Sequence, residues 1–562
     1  MKKNVQRLHN SFRAARRALG YLALLTAFWG LPAACDDWLH EPQPAQTGDN
    51  DFFLIGGGAA AIQIVNGAYV PLQWEYGTTY SPEWWIGDVV SDDALKGGQN
   101  IADMWAAYDL ENFKTQPNNP ILLDWYQANF LGVARCNYAL EKVSDVPPDD
   151  AMDEALRSRL VGELAFLRAL YYFRLVRVFG SVPLVTFSIS SSANWNQPVA
   201  PVEAIYARIV ADLEEANRRL WTRSRTSANP DETGRATKGA AQAFLLKVAL
   251  YRHDFPTAKA WGDSLLAAAG EYALETDYAA NFSILTENGV ESVFEVQYAE
   301  EATSDYGGFS PHFGATRGTF STILTRSRSG LVPAYGGGAS EGWGFLKPSQ
   351  DLYDEYEPGD PRRDATILNL HDTLMSNRVE EIYLGSRYLS RKLAIMDDGL
   401  NSLWDGHATR APINVKLMRW ADVLLMYAEA CVETGDIPAA KEALEAVRAR
   451  ARHMSDDASV RLPPFPNYTN RKTGRPYADA PDDLREAIRH ERRVELAMES
   501  HRWFDLVRWG VAKQTLDAYK ERETPEARAE MATFVAGKHE TFPLPQAEID
   551  LNHAMEQNPA WK

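Results

Sequence analysis

Two segments far apart in the chain repeat one another. LLKVALYRHDFPTAKAWGDSLLA (245–267) and LLMYAEACVETGDIPAAKEALEAV (424–447) both open on a double leucine and both carry D-[FI]-P-x-A-K, at 254–259 and 436–441. Ala249 and Ala428 take the tight inner position of the preceding helix, and the second copy has three more residues between its leucines and its aspartate. Small side chains let two antiparallel helices approach, the aspartate caps the second helix, and proline fits its first turn. A hairpin of this kind hides its apolar face only by stacking on neighbours, so the repeat commits the chain to several stacked hairpins.

Helical spacing elsewhere supplies those neighbours. Apolar periodicity predicts helices over 121–143 and 152–179, the second with Leu160, Leu164, Leu167, Tyr171 and Leu175 in register and Gly180 and Pro183 to stop it. Two more fall near 201–221 and 237–252. The pattern resembles the tetratricopeptide repeat, with hairpins over 121–179, 201–252, 237–270 and 418–451. Between 271 and 417 the rhythm fails: VESVFEVQY (290–298) and part of IYLGSRYLSRKLAI (382–395) read as strands, and long connections rich in Gly, Ser, Tyr and Trp fill the rest. Connections of that length in a compact chain are functional or disordered, and their aromatic content favours function. The expected fold is mainly α: tetratricopeptide-like hairpins forming a right-handed superhelical scaffold, packed against an irregular, ligand-binding part with a few short strands.

Charge sets the N-terminus apart. The first 34 residues hold six basic side chains and no acid, and ALGYLALLTAFWGLPAA then runs into Cys35. This reads as a secretory signal, too short and wrongly flanked to span a bilayer. Cys35 is the predicted lipidation site, followed by the acidic, proline-bearing tether CDDWLHEPQP; Pro32 departs from the leucine usual at that place in lipoprotein signals. Without the signal, 52 basic side chains face 76 acidic ones, a balance that repels phosphate backbones and argues against nucleic acid as a partner. The lipid anchor is the one membrane contact expected. Cys136 and Cys431 lie in helical patterns and read as buried free thiols. The expected organisation is a signal peptide over 1–34, a tether over 35–50, a hairpin region over 51–270, an irregular ligand-binding region over 271–417 and a C-terminal region with the last hairpin over 418–562.

The stretch ERRVELAMESHRWFDLVRWG (491–510) has the densest charge, and Glu491, Glu495 and Glu499 form a row along one helix flank. A glycosidase pair needs one carboxyl protonated and one ionised, facing each other about 5–10 Å apart across a sugar. Arg492, Arg493, Arg502 and Arg508 are close enough in sequence to hold these carboxylates ionised, which suits ion pairs and spoils a general acid. The stretch reads as scaffold. The 11 histidines show no H-E-x-x-H motif or metal spacing, so neither cofactor nor metal is expected.

That same stretch resembles the C-terminal signature of the SusD/RagB family of surface lipoproteins. RWADVLLMYAEA (419–430), FPLPQAEIDLNHAMEQNPAW (542–561) and GWGFLKPSQDLYDEYEPGDPRRDA (342–365) resemble three more of its motifs, in the family's order. The resemblance implies an outer-surface protein that is not an enzyme. It would cap a SusC-like TonB-dependent outer-membrane transporter and deliver glycans, or sometimes peptides, into it. Peptide cargo and a pure protein-interaction role stay open as alternatives.

Sugars stack flat C–H faces on aromatic rings and place their hydroxyls against Asp, Asn, Gln or Arg. YGTTYSPEWWIGDVVSDDALKGGQN (76–100) offers Trp84 and Trp85 beside Asp92 and Asn100; the later loops offer Tyr335, Trp343 and Trp404. These seven are the candidate ligand-binding residues. Asp92 and Asp93 lack the spaced ligand set of a calcium loop.

Overall fold

In the computed structural model the described residues are 49–268, 270–299, 309–310, 314–315, 318–328, 342–370, 382–395, 406, 408–455 and 461–562. They divide at Gly57, where the helix Asp49–Tyr69 carries a non-helical φ/ψ of 48°/−133°. Before that point the described chain is a short helical stretch; Gly58–Lys562 forms the second unit, to which everything below refers.

Its frame is a continuous stack of helices. We number the long ones α1 (Pro120–Val143), α2 (Glu154–Phe179), α3 (Val202–Arg219), α4 (Lys238–Tyr251), α5 (Phe255–Ala267), α6 (Trp420–Glu433), α7 (Ile437–His453) and α8 (Pro481–Leu496). Each packs on the next from α1 to α7, and α8 lies across α6 and α7. The chain is mainly α with tetratricopeptide-like hairpins, as its sequence predicts. Caps explain the helix boundaries. Asn119 accepts from Ile121 N at 2.9 Å, Asp153 from Leu156 N at 2.7 Å and Thr237 from Ala240 N at 3.2 Å, while Gly180 ends α2 at φ 70°.

The two sequence copies meet in space. Asp254 and Asp436 cap α5 and α7 through Thr257 N and Ala439 N, and α5 of the first copy packs on α6 of the second. Lys259 Nζ stands 3.3 Å from Asp436 Oδ2, and Tyr427 Oη donates to Asp263 at 2.6 Å. Gly262 makes the approach feasible: a Cβ there would sit 2.2 Å from the Tyr427 ring. Helix α2 is enclosed on all sides, with Leu160, Leu164, Leu167, Tyr171 and Leu175 fully buried. Cys136 and Cys431 are buried free thiols.

Between α5 and α6 the chain forms short strands, as expected from 290–298 and 382–395. We number β1 (Ala94–Gly97), β2 (Ser292–Val296), β3 (Phe345–Pro348) and β4 (Val415–Arg419); β1 pairs antiparallel with β3, β2 with β4, and Ile367–Asn369 with Tyr388–Ser390. No described helix is long and apolar enough to cross a membrane.

The carboxylate ladder lies inside this frame, but its partners differ from those read in the sequence. Glu491 accepts from Arg362 at 2.5 Å and Arg448 at 2.7 Å; Glu495 from Arg450 at 2.5 Å, Arg419 at 2.7 Å and Arg362 at 3.0 Å; Glu499 from Lys392 at 2.6 Å and Arg419 at 2.7 Å. The local arginines look elsewhere: Arg492 to Asp422 and Asp505, Arg493 to Asp93, Arg502 bidentate to Asp92, Arg508 bidentate to Glu429. Side chains next to each other in sequence on a helix point apart, so the row recruits cations from other elements. Burial pushes these carboxyls up, yet the guanidinium groups outweigh it, holding Glu491 and Glu495 below the ordinary range and drawing Glu499 down to about 2. The row is ionised, buried scaffold.

Candidate functional site: an aromatic face on irregular loops

A β-bridge from Tyr76 to Tyr80 closes a turn over 77–79. Asp124 of α1 fixes that turn: Oδ1 accepts from Thr78 N and Oγ1, both at 2.9 Å, and Oδ2 from Thr79 N at 3.0 Å. Glycine is required at 77, since a Cβ would lie 2.5 Å from Asp124 Oδ1. The rings that flank the turn are thereby set. Tyr80 stacks on Phe320 (centroids 4.8 Å, 18° between planes), meets Trp343 edge-on at 5.0 Å, and lies 4.8 Å from Tyr76. Phe320 is buried and forms the floor; Tyr76, Tyr80 and Trp343 are half-buried and offer the upper surface.

Hydrogen bonds keep this cluster rigid. Buried Glu75 accepts from Phe320 N at 2.6 Å and from the hydroxyls of Thr319 and Ser321 at 2.7 Å. Burial raises the Glu75 carboxyl, and those donors pull it partly back. Trp343 is tied by its backbone N–H to Ile323 O at 2.8 Å, and Gly344 N–H to Arg326 O at 2.8 Å.

A second loop, 98–104, borders the face. Gly98 N–H donates to Gly344 O at 2.9 Å, beside Trp343. Fully buried Lys96 staples the loop from within, its Nζ donating to the carbonyls of Gly97 (2.7 Å), Asn100 (3.0 Å) and Asp103 (2.6 Å). Burial lowers its pKa to about 8, against the pull of Glu111 and Asp103. Asn100 is exposed and its Oδ1 accepts from Ala102 N at 2.9 Å and Asp103 N at 3.2 Å. Met104 Sδ lies 3.8 Å from Thr79 Oγ1, and the next residue, Trp105, is 51% exposed. The result is a preorganised set of rings with threonine and asparagine at its border, the chemistry that suits a sugar.

Of the seven candidates, Trp343 lies in this face and Asn100 in the loop that borders it through Gly98 and Gly344. Trp84 and Trp85 do not: they pack on each other in the interior (centroids 4.1 Å), with Nε1 groups donating to Ser321 Oγ and Tyr80 O, so neither ring reaches solvent. Asp92 is likewise corrected. It is fully buried, both oxygens are taken by Arg502 at 2.7 and 2.8 Å, and it braces α8 through Arg493. Tyr335, Trp404 and the lipidation candidate Cys35 lie outside the described residues. Tyr76, Tyr80 and Trp105 were missed; two tyrosines bracketing Gly-Thr-Thr are a readable turn signal, whereas the exposure of Trp105 depends on the left-handed Met104 before it (φ 53°).

Two other features can be weighed. An interior cavity of about 80 Å³ is lined by Trp84, Glu83, Arg174, Arg177, Lys247 and His501. That volume suits ordered water, not a sugar chain, since ligand pockets run roughly 300–1,000 Å³. Among the described residues no group of three His, Cys, Asp or Glu is placed to share a metal ion.

Stacked helical hairpins carrying an aromatic face on irregular loops define a helical-repeat scaffold with a candidate recognition surface on its insertions. Comparison with known proteins agrees on the scaffold. Residues 290–561 match the family model described as "SusD family", and 64–250 match one described as "Starch-binding associating with outer membrane". The chain belongs to the SusD/RagB family. It is 25% identical over 465 residues to SusD-like protein P2 of Formosa agariphila, covering 81% of this chain and 83% of that protein. A SusD-like protein of Bacteroides ovatus is 26% identical over 434 residues, covering 74% and 70%. Among solved structures, a laminarin-binding SusD-like protein superposes with a TM-score of 0.69 at 27% identity over 89% of this chain and 99% of that one. Surface glycan-binding protein A from Bacteroides thetaiotaomicron, solved with laminarihexaose, shares the fold at a TM-score of 0.70 and 22% identity, covering 89% and 99%.

Proposed function

We propose that this protein captures oligosaccharide at the outer surface of the cell and passes it to a TonB-dependent outer-membrane transporter, without cleaving it. The observation that carries the reading is the half-exposed triad Tyr76, Tyr80 and Trp343, locked from below by Glu75 and Asp124 and bordered by Thr78, Thr79 and Asn100. Its relatives support a glycan ligand: one structure at 27% identity is a laminarin-binding protein, and the N-terminal family description names starch binding and the outer membrane. The ladder of Glu491, Glu495 and Glu499 supports binding without hydrolysis, because a general acid cannot be kept protonated amid arginines. Lipidation at Cys35 and partnership with a SusC-like barrel belong to the same reading, in which the ligand contacts come from 76–100 as well as from the irregular region 271–417.

The test is affinity electrophoresis and calorimetry of the purified protein against neutral polysaccharides (laminarin, soluble starch, xylan, mannan) and against laminarihexaose. Retardation by at least one polymer that Trp343→Ala abolishes is the expected result. Binding of none of them, or of a tryptic digest in their place, would overturn the glycan assignment. Release of shorter products from a labelled oligosaccharide would overturn the non-enzymatic one.

A further inference from the structure

We infer a second carbohydrate-contact point at Trp195, apart from the face around Trp343 and serving longer chains. The inference rests on the glycan reading above. Trp195 is 67% exposed, more than any other described Trp, Tyr or Phe among the large exposed hydrophobics, and it directly follows a short turn (Ser192–Asn194). An indole left that open on a soluble surface is costly unless something covers it.

The loop that presents it is held in shape. Asn137 of α1 donates to Val185 O at 3.0 Å and Phe187 O at 3.2 Å, Ser188 N–H donates to Glu141 at 2.6 Å, and Pro183 pairs with Val199 across a β-bridge. Just after Trp195 in the chain, His553 N–H donates to Asn196 Oδ1 at 2.9 Å and Asn552 Nδ2 to Gln197 O at 2.8 Å. Trp195 therefore stands between anchored neighbours, and little conformational entropy is lost when a ligand stacks on it.

The composition of the loop selects the ligand. Charged residues make up 24% of this chain, yet from 178 to 202 there is none; around the indole the exposed part is Thr, Ser, Asn, Ala and Pro with Gln197 half-buried, and Phe187 and Ile189 add two exposed apolar side chains before it. A protein partner is ordinarily steered and registered by charge, whereas a neutral sugar asks for a flat ring with amide and hydroxyl neighbours. Position fits as well. Asp124, which holds the Tyr76–Tyr80 turn, and Gln127 share one face of α1, and Gln127 Nε2 donates to Glu548 at 2.8 Å. Glu548 belongs to the short helix Gln546–Leu551, and the next two residues are the ones that hold the Trp195 loop. The two aromatic points are thus tied to one another through α1 and the helix Gln546–Leu551.

Two linked contacts raise polymer affinity through effective concentration. For Trp195→Ala, with an unchanged melting curve, affinity for the retarding polysaccharide should fall about tenfold or more, and by more than affinity for laminarihexaose; Trp195→Phe should restore most of it. Wild-type polymer affinity in Trp195→Ala overturns the inference while leaving the Trp343 site intact. Unchanged polymer affinity with lost co-purification of the transporter overturns it too, making the loop a protein-docking surface. A wild-type protein that binds no polysaccharide sinks the glycan reading first, and this contact with it.

Discussion

Around Glu495 the carboxylate oxygens are already taken by guanidinium groups at 2.5–3.0 Å, whereas around Trp343 the rings stand half-buried, with Glu75 and Asp124 engaged beneath them and the Arg328 side chain against Gly344. Both regions are polar, and both are held by long-range hydrogen bonds. They differ in what is left over. The ladder has satisfied itself internally, so its charges contribute to the stability of one arrangement of α6, α7, α8 and the irregular part. The aromatic face uses the polar groups beneath it to hold the rings still, and Tyr76, Tyr80 and Trp343 stay half-buried. Charge density therefore marks structure in this chain, and the proposed recognition falls to the aromatic loops.

The largest effect expected from this contrast is on stability. Glu495→Gln leaves Arg362, Arg419 and Arg450 facing a neutral amide in a dry interior, and removing one member of a buried charge cluster costs about 3–5 kcal/mol. Urea denaturation should show that loss, while the protein that remains folded binds glycan as before. A Glu495→Gln variant of wild-type stability with impaired binding would reverse the roles given to the two regions.

Protonation separates them next. His490 contacts Glu355 at 2.8 Å and Glu357 at 3.4 Å; burial disfavours its charged ring, but the two carboxylates prevail and raise its pKa to about 9. With an unfolded value near 6.5, this group's stabilisation is fully present below about pH 6.5 and is lost as pH rises through about 9. The amount is of the order of 3 kcal/mol. Glu357 and Glu499, both drawn down to about 2 against the cost of burial, act in the opposite sense, stabilising above about pH 4.5 and losing that as pH falls through about 2. Denaturation midpoints should peak between those limits, and His490→Gln should flatten the alkaline limb. Glycan affinity, carried by neutral groups, should stay level from pH 5 to 9; a matching decline would place a titrating group at the face.

Third in size is the face itself. Trp343→Ala should weaken laminarihexaose or the best polymer ligand at least tenfold, about 1.4 kcal/mol or more, as loss of a central aromatic contact does. Raising salt from 0.05 to 0.5 M should change the wild-type affinity little, since no ion pair is invoked. Steep salt dependence would point to a charged ligand.

The hairpins were legible because their signal is local: a cap, a proline and an alanine at fixed spacing give α4–α5 and α6–α7, and even the contact between the copies through Lys259 and Asp436 grows from the repeated motif. The partners of the glutamate row were not, because Arg362, Arg419, Arg448 and Arg450 arrive from other elements and only folding brings them in. The candidate face was only partly legible for the same reason. Trp343 and Asn100 announce themselves by residue type, but Trp84, Trp85 and Asp92 share that type and are buried. Nothing local distinguishes an indole under Ser321 from one beside Tyr80.

Asn100 supplies the finest division between holding and binding. Its Oδ1 caps the turn through Ala102 N and Asp103 N, and the residue is exposed on the loop that borders the rings. Asn100→Asp keeps the acceptor and removes the amide donor; Asn100→Ala removes both. If Asn100 serves ligand, the aspartate variant should fold as wild type and bind glycan about three- to tenfold more weakly, the worth of one hydrogen bond of roughly 0.5–1.5 kcal/mol. The alanine variant should lose that and some stability as well, since an unsatisfied turn no longer fixes the loop that Lys96 staples from beneath. Wild-type affinity in Asn100→Asp together with weakened binding in Asn100→Ala would make Asn100 a turn residue alone, and would leave the sugar's hydroxyls to Thr78 and Thr79.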